Sequence, residues 1–470
     1  MKQPIAPEHI DTFYFLGIGG IGMSALARYF HCNGYQVLGY DHTPSPLTRQ
    51  LEQEGIAIQY TDDTRIVETL SPEQTIVVRT PAVPNDESIY CYLRQHHFTI
   101  QKRAETLGLV TQSLRALCVA GTHGKTTTST ILAHILHDSH IGSNAFLGGI
   151  SQNYGTNLLI DQQSPYVVVE ADEYDRSFHY LSPHISVITA VDPDHLDIYG
   201  TSQAYTESFV HYASLVKQAL VVKKSVLEAI PAIGTAGVPH TYTYAINEPA
   251  DFYADHIQVT DGQILFDFHT PDSTLTNLQL GVPIWVNIEN SVAAMAVAHL
   301  VGATDEELRN GLSTFNGVYR RFNIHVNTPQ LAYIDDYAHH PTELKASIQS
   351  VRQLYPHRHL IGIFQPHLYT RTRDFADDFA RVLSGLDEVI LLPIYPAREQ
   401  PIAGVNSELL LEKITTPKAL VTKDQLIPYL LDRIHDCSAQ QQPCAVLSVG
   451  AGDIDRLVPT ITQAFSTSTL

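Results

Sequence analysis

A chain of 470 residues is longer than one hydrophobic core usually serves, which points to about three domains. With 44% hydrophobic and 17% charged residues the composition is that of a folded protein. A formal charge of −20 argues against a surface built for nucleic acid or anionic membrane, since both need clustered Lys and Arg.

The pattern opens on TFYFLGIGGIGMSALARYF from Thr12, a short apolar strand passing through glycines into a helix. QVLGYD, ending at Asp41, and TIVVRTPAVP, whose strand ends near Thr80, follow as further strands, so 1–112 is predicted to be one α/β unit with a parallel sheet. A second cycle, 113–323, starts with the strand Leu114 to Ala120, a glycine-rich turn and a long helix. YVVVE, from Tyr166 to Glu170, and ISVITAVD, from Ile185 to Asp192, have the β-branched density of strands buried on both faces. From Tyr242 to Leu280 alternation predicts antiparallel strands with a turn at Asp261-Gly262. After Arg320-Arg321-Phe322 a third α/β series, 324–470, runs through LAYID, HLIGIF, EVILLP and CAVLSV, and the Ser/Thr tail after Ala464 is expected to fray. No apolar run approaches the ~20 residues of a membrane span, and the N-terminus shows no basic stretch leading into an apolar one. Cys32, Cys91, Cys118, Cys437 and Cys444 contain no CxxC pair, which suits a reducing compartment, so a cytoplasmic protein is expected; the sequence leaves monomer and homodimer both open.

Nearly every polar cluster follows the end of a predicted strand, where open parallel sheets bind ligands. Gly121-Thr122-His123-Gly124-Lys125-Thr126-Thr127 reads as a phosphate loop: backbone amides and a helix start face an anion, Lys125 reaches the β/γ-phosphates and Thr126 the magnesium ion. It departs from GxxxxGK[ST] in having Val119 at the first glycine position, and a ligand-free glycine turn is the plain alternative. Glu170 opens Glu170-Ala171-Asp172-Glu173, and Asp192, Asp194, His195 and Asp197 follow the next strand. Carboxylates beside a phosphate loop repel ATP unless Mg²⁺ lies between them, which makes Glu170 the better metal ligand; His195 stands equally as metal ligand, proton carrier or structural hydrogen-bonding residue. Gly17-Ile18-Gly19-Gly20-Ile21-Gly22 matches GxGxxG, with Asp41 near the spacing of a ribose-binding acid; a dinucleotide or any other diphosphate satisfies it, and so does a tight turn with no ligand. In the third unit Asp335 to Glu343 and Gln365 to Arg373 gather histidines and arginines that can attract an anionic intermediate, although Glu343 and Arg373 suit a solvated helix start equally well.

Taken in order, GIGGIGMS, GTHGKTTT, EADE, DHLDIYG, RRF, DDYAHHPTE, FQPHLYTRTRDF and GAGDIDRL resemble the Mur ligase family over essentially the whole chain, most of all its alanine-adding branch. The resemblance implies an α/β protein of three domains: an N-terminal Rossmann-like domain for a UDP-sugar, a central P-loop-type ATPase with a mixed sheet, and a C-terminal Rossmann-like domain for the amino acid. It implies ATP and Mg²⁺ as cofactors and ligation of L-alanine to UDP-N-acetylmuramate through an acyl phosphate. Carried over by motif, Gly19, Gly20, Gly22 and Asp41 bind UDP, Thr156 and Asn157 contact the muramoyl group, and the Gly121 to Thr127 loop holds ATP. Thr126, Glu170 and His195 place the metal, Asn287 reads adenine, and Arg321 and Asp336 reach the nucleotide. His339, His367 and Arg371 resemble residues near the acyl phosphate and amino acid. Many alanine ligases carry His where this chain has Val286 and Arg where it has Leu368. The alternatives are a peptide-recycling ligase of the same type, which DDYAHHP also suits, a nicotinamide-dependent oxidoreductase, which needs neither Lys125 nor Glu170, and a non-catalytic nucleotide-binding switch.

Overall fold

The structure is a computed structural model that describes residues 5–193, 196–260, 262–397 and 399–467. The fold is α/β, with two compact units: Met1–Asp255 with Asp267–Thr276 and Glu289–Phe315, and His256–Phe266 with Asn277–Ile288 and Asn316–Leu470.

The first unit opens with a parallel sheet of β1 (Thr12–Leu16), β2 (Gln36–Tyr40), β3 (Ala57–Gln59), β4 (Thr75–Arg79) and β5 (Thr99–Lys102), in the order β3-β2-β1-β4-β5. All of β1 is buried, as its unbroken apolar run TFYFL requires. Strand order reverses beside β1, so its carboxyl end is a switch point at which a crevice opens.

A second sheet follows, built on β6 (Arg115–Ala120), β7 (Asn144–Phe146), β8 (Leu158–Leu159), β9 (Tyr166–Ala171), β10 (Ile185–Ile188), β11 (Ala219–Lys223), β12 (His240–Ile246), β13 (Phe252–Thr260), β14 (Gln263–His269) and β15 (Thr274–Gln279). Its order is β15-β14-β13-β12-β11-β10-β6-β9-β7-β8. It is mixed: β6 pairs parallel with β9 and β10, whereas β7 and β8 are antiparallel. The expected antiparallel run from Tyr242 needs correction at its start, because β12 pairs parallel with both β11 and β13. Alternation reports that one face of a strand is buried and carries no information on strand direction. Asp261 of the expected turn lies outside the described residues, while Gly262 has φ +80°.

The second unit holds β16 (Asn323–Asn327), β17 (Leu331–Asp336), β18 (His359–Phe364), β19 (Glu388–Leu391), β20 (Lys418–Leu420) and β21 (Cys444–Val449), in the order β16-β17-β21-β18-β19-β20, parallel except for β16. The chain end is not frayed where expected: helix Val458–Thr467 continues past Ala464 because Phe465 is buried against the sheet. All five cysteines are free thiols.

Candidate functional site

Two strand–turn–helix junctions of the first unit converge on the same chemistry. At the first, β1 ends in a turn whose Gly17 has φ +82°, and a Cβ there would lie 2.3 Å from Thr80. Helix Ile21–Cys32 starts on Gly20, which has no side chain to bond its first N–H groups, so they are left for a ligand. Asp41, just past β2, accepts from Gly19 N at 2.8 Å, which brings together the glycine and the acid singled out by spacing. Asn157, buried and donating to Ile21 O at 3.3 Å, ties a neighbouring loop to this helix start. Thr156 accepts from Leu158 N through its hydroxyl, 3.2 Å away.

A cavity of about 370 Å³ lies here, lined by Gly20, Gly22, Arg103, Asn157, Glu170 and Asp172 among others. Arg103 was not found by sequence reasoning, and it is the cavity's cation: a Cβ on Gly22 would sit 3.1 Å from its Cδ. Its only sequence signal is the start of a helix after a weakly patterned strand. Glu170 faces it from the end of β9, paired in register with Val119 of β6. Its carboxylate occupies space that only a glycine leaves, since a Cβ on Gly148 would fall 2.1 Å from Glu170 Oε2.

At the second junction β6 runs into the lysine-bearing turn. Gly121 has φ +135°, and a Cβ would lie 2.1 Å from Thr189 Oγ1; Gly124, at φ +80°, starts helix Lys125–His137 with no side-chain cap. Asn290 supports the turn: Thr128 Oγ1 donates to its Oδ1 at 3.2 Å. Thr122 Oγ1 lies 2.9 Å from both Asp192 O and Tyr205 Oη, His123 is exposed with its ring 3.7 Å from Asp192, and Thr126 and Thr127 sit half-buried in the first helical turn. Lys125 Nζ folds back onto Gly121 O at 2.7 Å and pairs with Glu173 at 2.8 Å. Glu173, not singled out from the sequence, is therefore the lysine's counter-charge; burial pushes its pKa up and Lys125 opposes that. His195 and Asp194 lie outside the described residues.

The second unit gathers the remaining candidates. Asp336 ends β17; its Oδ1 accepts from Phe322 N at 3.1 Å and Tyr337 N at 2.9 Å, its Oδ2 from Ser347 Oγ, and burial pushes its pKa up. Arg321 is exposed over the Tyr337 ring. Asn287 is buried, donating to Val282 O at 3.2 Å. His339 and His367 stand edge to face at 6.0 Å, both with pKa lowered first by burial and further by the Arg371 guanidinium. His367 Nδ1 and Arg371 Nη1 are buried with no hydrogen-bond partner among the described residues, which is how a pocket looks when an acceptor is to be bound there. Between them Leu368 takes φ +69°, a strained conformation for a side chain with a Cβ. Tyr395, stacked on His367 at 5.8 Å, was missed for want of any local motif. Glu343 caps a helix, accepting from His339 N and His340 N, and Arg373 pairs with Asp374 at the surface, so both take the solvated helix-start role.

Family models match in three consecutive stretches: the Mur ligase family catalytic domain over 12–114, the Mur ligase middle domain over 119–298 and the Mur ligase glutamate ligase domain over 320–452. A UDP-N-acetylmuramate–L-alanine ligase of Porphyromonas gingivalis is 52% identical over 97% of this chain and 99% of its own. The chain belongs to the Mur ligase family. A relative of the same name from Flavobacterium johnsoniae is 45% identical over 97% of this chain and 98% of its own. Among solved structures, the UDP-N-acetylmuramate-alanine ligase of Thermotoga maritima matches with a TM-score of 0.75 at 25% identity, covering 97% of this chain and 100% of that one. A murein peptide ligase of Psychrobacter arcticus shares the fold, with a TM-score of 0.63 at 21% identity over 98% of this chain and 99% of that one. As a Mur ligase, the chain has no need of the nicotinamide reading of its first glycine turn. ATP use is a property of this family, and no helix among the described residues is long and apolar enough to cross a membrane.

Proposed function

We propose that this chain joins L-alanine to the lactyl carboxylate of UDP-N-acetylmuramate at the expense of ATP, giving ADP and phosphate in peptidoglycan precursor synthesis. The observation that carries this is near full-length identity of 52% to a ligase of that name. A carboxylate resists attack by an amine because its charge repels the nucleophile and oxide is a poor leaving group. Its oxygen therefore first takes the γ-phosphoryl group of ATP; the alanine amine then attacks the acyl carbon of the resulting acyl phosphate, and phosphate leaves.

Residues 1–112 hold the UDP-sugar at Gly19, Gly20, Gly22 and Asp41, with Thr156 and Asn157 toward the muramoyl group. Residues 113–323 hold ATP on the Gly121 to Thr127 loop, and 324–470 receive the amino acid. Asn287, Arg321 and Asp336 are the further nucleotide contacts. Lys125 leaves Glu173 to neutralise charge that develops on the transferred phosphoryl group. His339, His367 and Arg371 orient the acyl phosphate and alanine; a neutral imidazole there can take a proton from the attacking amine. Mg²⁺ fits the donor set of Thr126 and Glu170, because both offer oxygen and Glu170 fills a cradle that a Cβ at Gly148 would close. When bound it screens the phosphate charge from Glu170 and Glu173. His195 is the third expected ligand. The reaction belongs to the cytoplasm, with the enzyme as monomer or homodimer.

The test is incubation with ATP, UDP-N-acetylmuramate and a panel of amino acids and peptides, with mass measurement of the new amide. Alanine is expected to give the fastest phosphate release; preference for a preformed tripeptide would reassign the chain to peptide recycling.

A further inference from the structure

One cleft of the first unit is not at the carboxyl ends of the strands: a crevice of about 640 Å³ lies at the opposite, amino ends of β6 and its neighbours. β6 begins at Arg115 and ends at Ala120, so the crevice lies roughly 16 Å along the strand from the lysine-bearing turn. The register sets its charge. Leu117, Ile185 and Ala219 are aligned across β6, β10 and β11, which puts Arg115 and Lys217, each two residues earlier, at one level of the sheet edge. His184 immediately precedes β10, the strand between them; its backbone N is bonded to Ala116 O at 2.8 Å, while Lys217 N bonds Pro183 O at 2.9 Å. Strand spacing then separates the two cationic stems by about 10 Å, and the His184 ring is near enough to feel both charges.

None of the lining residues is Asp or Glu, in a chain whose formal charge is −20. Neither Arg115 nor Lys217 has a carboxylate partner among the described residues; Arg115 lies only over the Tyr166 ring, 5.9 Å away. Burial and these two cations lower the His184 pKa, so at neutral pH its ring is a neutral hydrogen-bonding group beside two positive ones. Asn33, at the end of helix Ile21–Cys32, and the amides of Gln112 and Gln162 complete a polar wall, and the size falls within the range of small-molecule sites.

We propose that this crevice is a second anion site, taking a small multiply charged phosphate such as a pyrophosphate group, with Arg115 and Lys217 as its cations and His184 as a further donor in its lining. Guanidinium and ammonium separated by this span suit a diphosphate, which offers oxygens to both ends at once. A ligand there bridges the end of a helix of the first sheet and the first residues of the second, without entering the ATP or UDP-sugar site.

Calorimetric titration of the full chain, saturated with ADP and UDP-N-acetylmuramate, with inorganic pyrophosphate is the test. Pyrophosphate is expected to bind under these conditions, at least tenfold more weakly to the double variant Arg115→Ser/Lys217→Ser, with kcat/KM for ATP and alanine within twofold of the parent. Retained activity shows that the variant is folded. Absence of pyrophosphate binding to the saturated parent, or equal binding to parent and variant, would overturn the site; equally tight binding of citrate would overturn its assignment to phosphate.

Discussion

The two glycine turns of the first unit have the same local plan and opposite charge logic. Each follows a buried strand and starts a helix on a glycine, so each offers uncapped N–H groups to an anion. In the first, an acid is already seated: Asp41 holds Gly19 N, so a diphosphate must sit further along, toward Gly22 and Arg103. In the second, a cation is seated on an acid: Lys125 pairs with Glu173 and must be drawn away by the nucleotide. Backbone geometry thus says that an anion binds, and the charge fixed beside the turn decides how it is gripped.

The sharpest way to break this comparison is Lys125→Ala. Loss of the cation aimed at the transferred phosphoryl group is expected to slow ADP formation about 10³-fold. Affinity for UDP-N-acetylmuramate, gripped at the other turn, is expected to stay within about twofold. Steady-state kinetics and calorimetry measure the two, and a parallel loss of sugar affinity would end the separation of roles. Next in size is Gly121→Ala. Its Cβ would enter Thr189 and Ala190 backbone at φ +135°, so a loss of about 3 kcal/mol is expected in chemical denaturation. A loss below about 1 kcal/mol would mean that the turn yields freely and is not a fixed cradle.

Much of this was legible from residues alone. TFYFL, RALCVA, LAYIDD and HLIGIF are strands because unbroken apolar and β-branched runs fit nothing else of that length, and the polar residues after them stand at carboxyl ends. The short strands AIQ, NAF and KAL carry too few residues to show any period and were invisible. Glu173 was passed over because a string of acids does not reveal which carboxylate turns inward, although a lysine with no ligand must find a counter-charge. Arg103 and Tyr395 come from distant stretches, and only the fold brings them to their sites.

Glu173→Gln sharpens the second half of the comparison with a smaller effect. The variant removes the charge that holds Lys125, yet also a buried carboxylate whose ionisation burial opposes. The net is an expected loss of about 1–2 kcal/mol in the ligand-free protein. Because ATP no longer competes with Glu173 for the lysine, the KM for ATP is expected to fall by about two- to tenfold. A KM raised several-fold would show instead that Glu173 serves the bound nucleotide.

The smallest effect separates the two helices that follow the turns. The buried residues of helix Ile21–Cys32 include no histidine, whereas helix Lys125–His137 carries His134, 2% exposed. Its Nδ1 lies 2.7 Å from Tyr154 Oη and its Nε2 3.0 Å from Thr314 Oγ1, both neutral groups. Burial lowers its pKa, and His137 adds to this while Asp138 opposes it. The unfolded chain therefore takes up a proton near pH 6.5 that the native helix resists, so stability from this group is complete above about pH 6.5 and declines as pH falls below it. Half-buried histidines, His179 and His325 among them, act in the same direction, so the whole protein is expected to lose Tm between pH 7 and 5.5. His134→Gln removes one contribution and is expected to flatten that slope by a measurable fraction while lowering Tm at pH 7. An unchanged slope in scanning calorimetry would mean that His134 is protonated in the native helix, with Asp138 as its partner, and the helix behind the lysine-bearing turn would then be held by charge as the turn itself is.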